Sequence, residues 1–193
     1  MSTMAVSITM LIRPFPLRDP FVRFTLIALG IYLLWFFGYE RYLALDGRLD
    51  KVLTESIASN AATVLRLLGF DAVVSSTRLN LILLNNQPTV FIAPYCDGMV
   101  LYVLFSGFII AFPNGSLHKI WFIPLGIVLI YSVNVLRIVA LCLNHYYSHQ
   151  TVDFNHHYTF TFIVYGFICL LWLWWATRLA APFANSSPSH ARV

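Results

Sequence analysis

The chain has 193 residues, of which 59% are hydrophobic and only 10% charged, and its mean hydropathy is +0.75. Soluble globular domains carry roughly a quarter charged residues, so this composition excludes that class and places the chain in a bilayer. The net charge of +4 comes from scattered arginines and lysines, which excludes the basic stripe of a nucleic-acid binder. The three cysteines, Cys96, Cys142 and Cys169, are too few and too widely spaced for a disulfide framework.

Residues 1–20 contain Pro14, Pro16 and Pro20 and read as an irregular cytoplasmic tail. The apolar run at 4–12 is too brief to span. Phe21–Tyr39 is the first span, long enough for an apolar core about 30 Å thick, and without a cleavage site it reads as an uncleaved anchor. Charges then crowd between Glu40 and Glu55. Residues 52–70 place apolar side chains at helical spacing and end at Gly69, predicting an amphipathic helix too polar to span. In residues 77–96 two β-prone runs flank Asn85-Asn86-Gln87-Pro88, a hairpin signal, and the second strand is expected to run through Pro94 into Cys96. A second span follows at Gly98–Phe112. Pro113-Asn114-Gly115-Ser116 makes a turn, and the third span is Ile120–Leu143. A polar loop, 144–157, leads to the fourth span, Tyr158–Thr177. Trp172, Trp174 and Trp175 at its end fit an interfacial aromatic belt, and residues 179–193 form a second cytoplasmic tail.

The predicted fold is therefore an all-α polytopic membrane protein with about four transmembrane helices or more. An extracytoplasmic amphipathic helix and a β-hairpin stand between the first and second spans. Lys and Arg near span ends mark the cytoplasmic side. Arg13, Arg18 and Arg23 precede span one, Lys119 lies between spans two and three, and Arg178 follows span four. This puts both termini inside and segments 40–95 and 144–157 outside, with a three-span core at 96–178. The plasma (inner) membrane is the expected location.

Topology then brings three reactive residues to one depth. Cys96 stands at the outer mouth of span two, and His156 and His157 at that of span four. Arg137 lies roughly 25 Å along span three at 1.5 Å per residue, near the same interface. A charged side chain near the middle of a spanning helix costs about 2.5–3.5 kcal/mol, and arginine cannot shed its proton to escape that cost. A thiolate is favoured at a helix N-terminus or beside a cation. A histidine can act as base and then as acid for a leaving amine, and an arginine can stabilise a tetrahedral oxyanion. These are sufficient for acyl transfer through a thioester, resolved by water or by an amine.

Cys96-Asp97-Gly98 at a loop-to-span junction, Asn134-Val135-Leu136-Arg137 in the next span and a histidine opening the following span together resemble the exosortase/archaeosortase family. The resemblance covers residues 75–175. It implies a membrane cysteine protease or transpeptidase with its active site on the extracytoplasmic side. Its partners would be the lipid bilayer and a membrane protein substrate whose C-terminal tail has a short motif, a spanning helix and a basic end. The family triad carries over as Cys96, Arg137 and His157. His157 is preferred to His156 because the family's histidine is often followed by a Gly-aromatic pair four and five residues on, where this chain has Thr161-Phe162. Asp97 stands where the family usually has a small residue. His156, Asn134 and Asp97 are candidate supporting residues; no cofactor and no metal are implied.

Simpler roles compete for each residue. Cys96 could be an ordinary loop cysteine or pair with Cys142, and Arg137 could be a snorkelling anchor. Asp97 could cap a helix, and Asn134 could make a plain helix–helix hydrogen bond. Cys142 and Cys169 read as packing residues. The His156-His157 pair beside His145 and His149, joined by Asp153, could hold a metal. The rival function is a non-enzymatic scaffold or assembly factor for envelope or polysaccharide export; a small transporter is disfavoured by four spans without a broken-helix repeat.

Overall fold

The structure, a computed structural model, describes residues 20–43, 47–112, 117–147 and 160–180. It is mostly helical with one small sheet. Helix α1, Pro20–Leu34, continues in wider turns through Trp35–Leu43. Helix α2 is Arg48–Leu67. Strands β1 (Ala72–Val74), β2 (Leu81–Leu84) and β3 (Gln87–Phe91) form an antiparallel sheet in that order. A single 3₁₀ turn at Pro94–Cys96 leads into α3, Met99–Ala111. Helix α4, His118–Tyr147, is the longest element, and α5, Phe160–Trp174, continues through Trp175–Ala180.

Among the described residues, three helices are long and apolar enough to cross a membrane: Pro20–Tyr39, His118–Tyr147 and Phe162–Leu179. The segment expected as the second span is helical for only 13 residues, about 20 Å at 1.5 Å per residue. Gly98, with φ +85°, starts it late. Asn144–Tyr147, expected to open a polar loop, instead continue helix α4.

Helix α2 packs over the bundle. Its buried residues, Thr54, Ile57, Ala58, Ala61, Ala62 and Leu65, recur every three to four positions, one stripe of a helix. Fully burying Ile57 and Leu65, both 0% exposed, contributes about 1.5–3 kcal/mol each. This stripe joins the sheet, Cys96 and the C-terminal half of α4 (Val135–Cys142) in one hydrophobic cluster. A second cluster joins α3, the N-terminal half of α4 and α5. Tyr131 of α4 packs against both, and its hydroxyl is bonded by Ser56 and Asn60 of α2 at 2.8 and 2.7 Å.

The sheet has one strand more than the expected hairpin, β1. Asn85 and Asn86 turn β2 into β3 with φ of 50° and 62°, the two positive values that a tight hairpin turn demands and that asparagine tolerates. Pro88, opposite Leu83, has no N–H to give, and the register shifts there; the backbone N–H of Leu84 bonds instead to Thr89 Oγ1 at 3.2 Å. Strand β3 ends at Phe91 rather than running on to Cys96, because Pro94 sets its own φ and opens the 3₁₀ turn. Trp175 is also placed differently from the expected belt. It is fully buried, its ring 5.0 Å from that of Phe122.

Helices α3 and α4 pack closely at Gly126. A Cβ there would stand 2.1 Å from the ring of Phe105, which is itself fully buried and 5.8 Å from the Phe122 ring. Gly126→Ala is expected to destabilise the bundle by about 1–3 kcal/mol through overpacking, and Phe105→Leu in the same chain is expected to restore much of the loss. Unfolding in detergent micelles measures both.

Candidate active site

The site forms where the cap of α2 and the sheet meets the ends of the bundle helices. The 3₁₀ turn delivers Cys96 to that junction: its backbone N–H donates to Ala93 O at 2.9 Å, and that of Asp97 to Pro94 O at 3.3 Å. Gly98 then takes a left-handed conformation, φ +85°, which costs a side-chain-bearing residue about 1–2 kcal/mol. The space is closed as well, since a Cβ there would lie 3.1 Å from the Tyr102 hydroxyl and 3.4 Å from Asn134 Nδ2. Helix α3 starts at the next residue, so Cys96 sits just before a helix N-terminus. The turn is braced twice more: Asp97 Oδ1 accepts from the Met99 N–H at 2.8 Å, and the Tyr102 hydroxyl donates to the Asp97 carbonyl at 3.2 Å.

Helix α4 supplies the opposite wall. Asn134, fully buried, donates from Nδ2 to the Cys96 carbonyl at 2.9 Å. One turn on, half-buried Arg137 lies close enough for its charge to act on the Cys96 thiol. Arg137 also lines a cavity of about 230 Å³ with Tyr95, Gly98, Leu101, Val164 and Tyr165, between α3, α4 and α5. Its Nε and Asn134 Oδ1 are buried without a hydrogen-bond partner among the described residues. A buried donor and acceptor left unmet are costly, and both belong to side chains at the Cys96 turn.

Charge at the thiol is set by opposing neighbours. Burial pushes the Cys96 pKa up, Arg137 pulls it down, and Asp97 pushes it up again; Cys96 is 6% exposed. The carboxyl of Asp97, 3% exposed, is itself pushed up to about 6, first by burial and then by the carboxyl of Asp50.

Cys96, Asp97, Asn134 and Arg137 are thus brought together. His156 and His157 lie outside the described residues, as do His149 and Asp153. Cys96 and Cys142 are thiols, not partners in a disulfide. Asp50 and Tyr39 are joined by a hydrogen bond from the tyrosine hydroxyl to the carboxylate, and neither is singled out from sequence. A charged residue on the apolar stripe of an amphipathic helix was the available signal: Asp50 falls one turn before buried Thr54.

Residues 18–175 match the model of the transmembrane exosortases. The chain belongs to that family, one of membrane cysteine peptidases and transpeptidases. No curated protein and no solved structure matches it.

Removing the arginine's charge while keeping a polar side chain isolates its effect on the thiol. Arg137→Gln is expected to move the pH midpoint of Cys96 alkylation upward, because a neighbouring cation that lowers the thiol pKa is gone. Iodoacetamide modification across pH, mapped by mass spectrometry, measures the shift.

Proposed function

We propose that this protein is an exosortase-like cysteine protease/transpeptidase of the plasma membrane. It cleaves, and transfers to an acceptor amine or to water, proteins that carry a C-terminal sorting tail, on the extracytoplasmic face. The observation that carries the reading is Cys96 fixed at a helix N-terminus with Arg137 beside it, within a chain of this family.

In this scheme His157 takes the proton from the Cys96 thiol, and the thiolate attacks the scissile carbonyl carbon. Negative charge gathers on the carbonyl oxygen, where the Arg137 guanidinium stabilises it. The C–N bond breaks as His157 returns the proton to the departing amine, leaving the acyl group as a thioester on Cys96. Water or an amine, deprotonated by His157, attacks the thioester and releases Cys96. Burial raises the thiol pKa, so the thiolate is favoured only with Arg137 and a base in place. The cavity between α3, α4 and α5 is positioned to take the segment next to the scissile bond.

Co-expression with a tail-bearing substrate tests this. Wild type is expected to process it and to accumulate a hydroxylamine-sensitive adduct on Cys96, seen by gel shift and mass spectrometry. Cys96→Ala is expected to stay inserted and abolish processing, and Arg137→Ala to reduce it by about 10²-fold or more, the scale of a lost oxyanion donor. Processing that survives Cys96→Ala removes the nucleophile and leaves the scaffold reading.

A further inference from the structure

Of the three described spanning helices, α1 is the least embedded. None of its span is buried, against 44% of the α4 span and 22% of the α5 span. It leans on α3 side by side. Ile31 covers Gly107, where a Cβ would lie 3.2 Å from Ile31 Cγ2, and the Phe24 ring stands 5.7 Å from that of Phe108. At the end nearer the cap, the Tyr39 hydroxyl donates to Asp50 of α2. Helices packed in lipid have no hydrophobic drive between them, because the tails are as apolar as the side chains. Moving α1 aside therefore exposes surface that the bilayer solvates.

A cavity of about 430 Å³ lies between the two helices. Ala28 and Tyr32 of α1 form one wall, and Val103 and Leu104 of α3 the other. Phe108 and Trp172, their rings stacked at 4.5 Å, close the far end. Among the described residues, no charged side chain lines it. Along α3 it runs from Val100 to Phe108, about 12 Å at 1.5 Å per residue. Tyr32 and Leu104 on its rim are 59% and 43% exposed, so it opens sideways. Val100 also lines the cavity of about 230 Å³ that holds Arg137. The apolar groove and the Arg137 cavity therefore meet at one residue, the second after Gly98.

We infer that the groove between α1 and α3 receives the membrane-embedded apolar segment of the polypeptide substrate, and that α1 moves aside to admit it. The identity of the occupant rests on the protease reading. Because the groove begins where the Arg137 cavity ends, one chain can pass from the scissile bond into the apolar layer without crossing the bundle. In that layer a polypeptide must satisfy its own backbone, so the segment is a helix. A helix about 10 Å across fills about 900 Å³ over 12 Å of length, about twice the groove. At rest the groove takes one ridge of side chains, and a whole helix needs α1 displaced. That displacement uncovers Gly107 opposite Ala28, and small residues let helices approach closely in membranes. The thioester keeps the part before the scissile bond on Cys96. The groove thus holds the leaving fragment, which departs sideways into lipid.

Photo-crosslinking tests occupancy without cleavage. The full chain carries Cys96→Ala and p-benzoylphenylalanine in place of Leu104, in the groove, or of Leu170, outside it on α5 and 64% exposed. The probe is the tail-bearing substrate of the processing assay, co-expressed in the membrane. An adduct at position 104, mapped by mass spectrometry to the spanning segment of the substrate and weak or missing at position 170, is expected. Equal adducts at both positions, or lipid adducts alone at position 104, overturn the inference. In the active enzyme, filling the groove with Ala28→Trp and truncating the substrate before its spanning segment are each expected to raise KM by about tenfold. Together they are expected to raise it no more than either alone, the non-additivity of two changes that remove one contact. Additive losses, or no loss from the substitution, overturn the inference. Val103→Trp, which fills the groove from the opposite wall, replaces Ala28→Trp if that variant fails to insert. Processing without groove adducts keeps the protease and removes the groove; groove adducts without processing do the reverse.

Discussion

The hydrogen bond from Asn134 to the carbonyl of Cys96, 2.9 Å long and fully buried on the asparagine side, joins the two halves of the molecule at the point where chemistry is proposed. On one side stands a helix running through both hydrophobic clusters; on the other, the turn that ends the polar cap and begins α3. In a dry environment this bond has no water to compete with it, and losing it would strand both partners. It fixes the Cys96 turn against α4, and Arg137 is one helical turn further along the same face. The spacing of Asn134 and Arg137 therefore does two tasks with one helix: the first holds the backbone of the cysteine, and the second sets the charge near its sulfur.

That arrangement depends in turn on α4 being long. Its 30 residues rise about 45 Å, more than an apolar core about 30 Å thick. The N-terminal part packs with α3 and α5, and the C-terminal part packs with α2 and the sheet. Tyr131 sits where the clusters meet, with its hydroxyl tied to α2. A polar cap that touched only loops would shift relative to the bundle. Built on the same helix, it stays fixed to the bundle.

Much of this was legible in the sequence. Long apolar runs give α1, α4 and α5, because a membrane demands sustained hydrophobicity over a fixed length. The three-to-four spacing gives α2 to within a few residues. The order of Cys96, Asn134 and Arg137 pointed to three residues that the structure brings together. What escaped depends on tertiary contact. Strand β1 is three residues, too short for a periodic signal, and exists because β2 pairs with it. Tyr39 and Asp50 look like ordinary interface and surface residues until α2 folds onto the turn. Trp175 reads as a belt residue by position, yet Phe122 covers it. The late start of α3 follows from Gly98, whose positive φ is visible only once the Tyr102 hydroxyl and Asn134 crowd it.

Helix α3 covers about 20 Å with 13 residues, beside neighbours that are long enough to cross. A bilayer meeting a short wall accommodates it by thinning locally or by letting flanking residues reach outward, at fractions of a kcal/mol per Å. Thinning on the side where α3 begins would draw the headgroup boundary down toward Cys96. That side carries Cys96 and the mouth of its cavity, so hydrophobic mismatch can bring water and a polar peptide segment to the thiol without a channel through the bundle. The thickness of the surrounding membrane becomes a physical variable of the site, acting through the length of one helix.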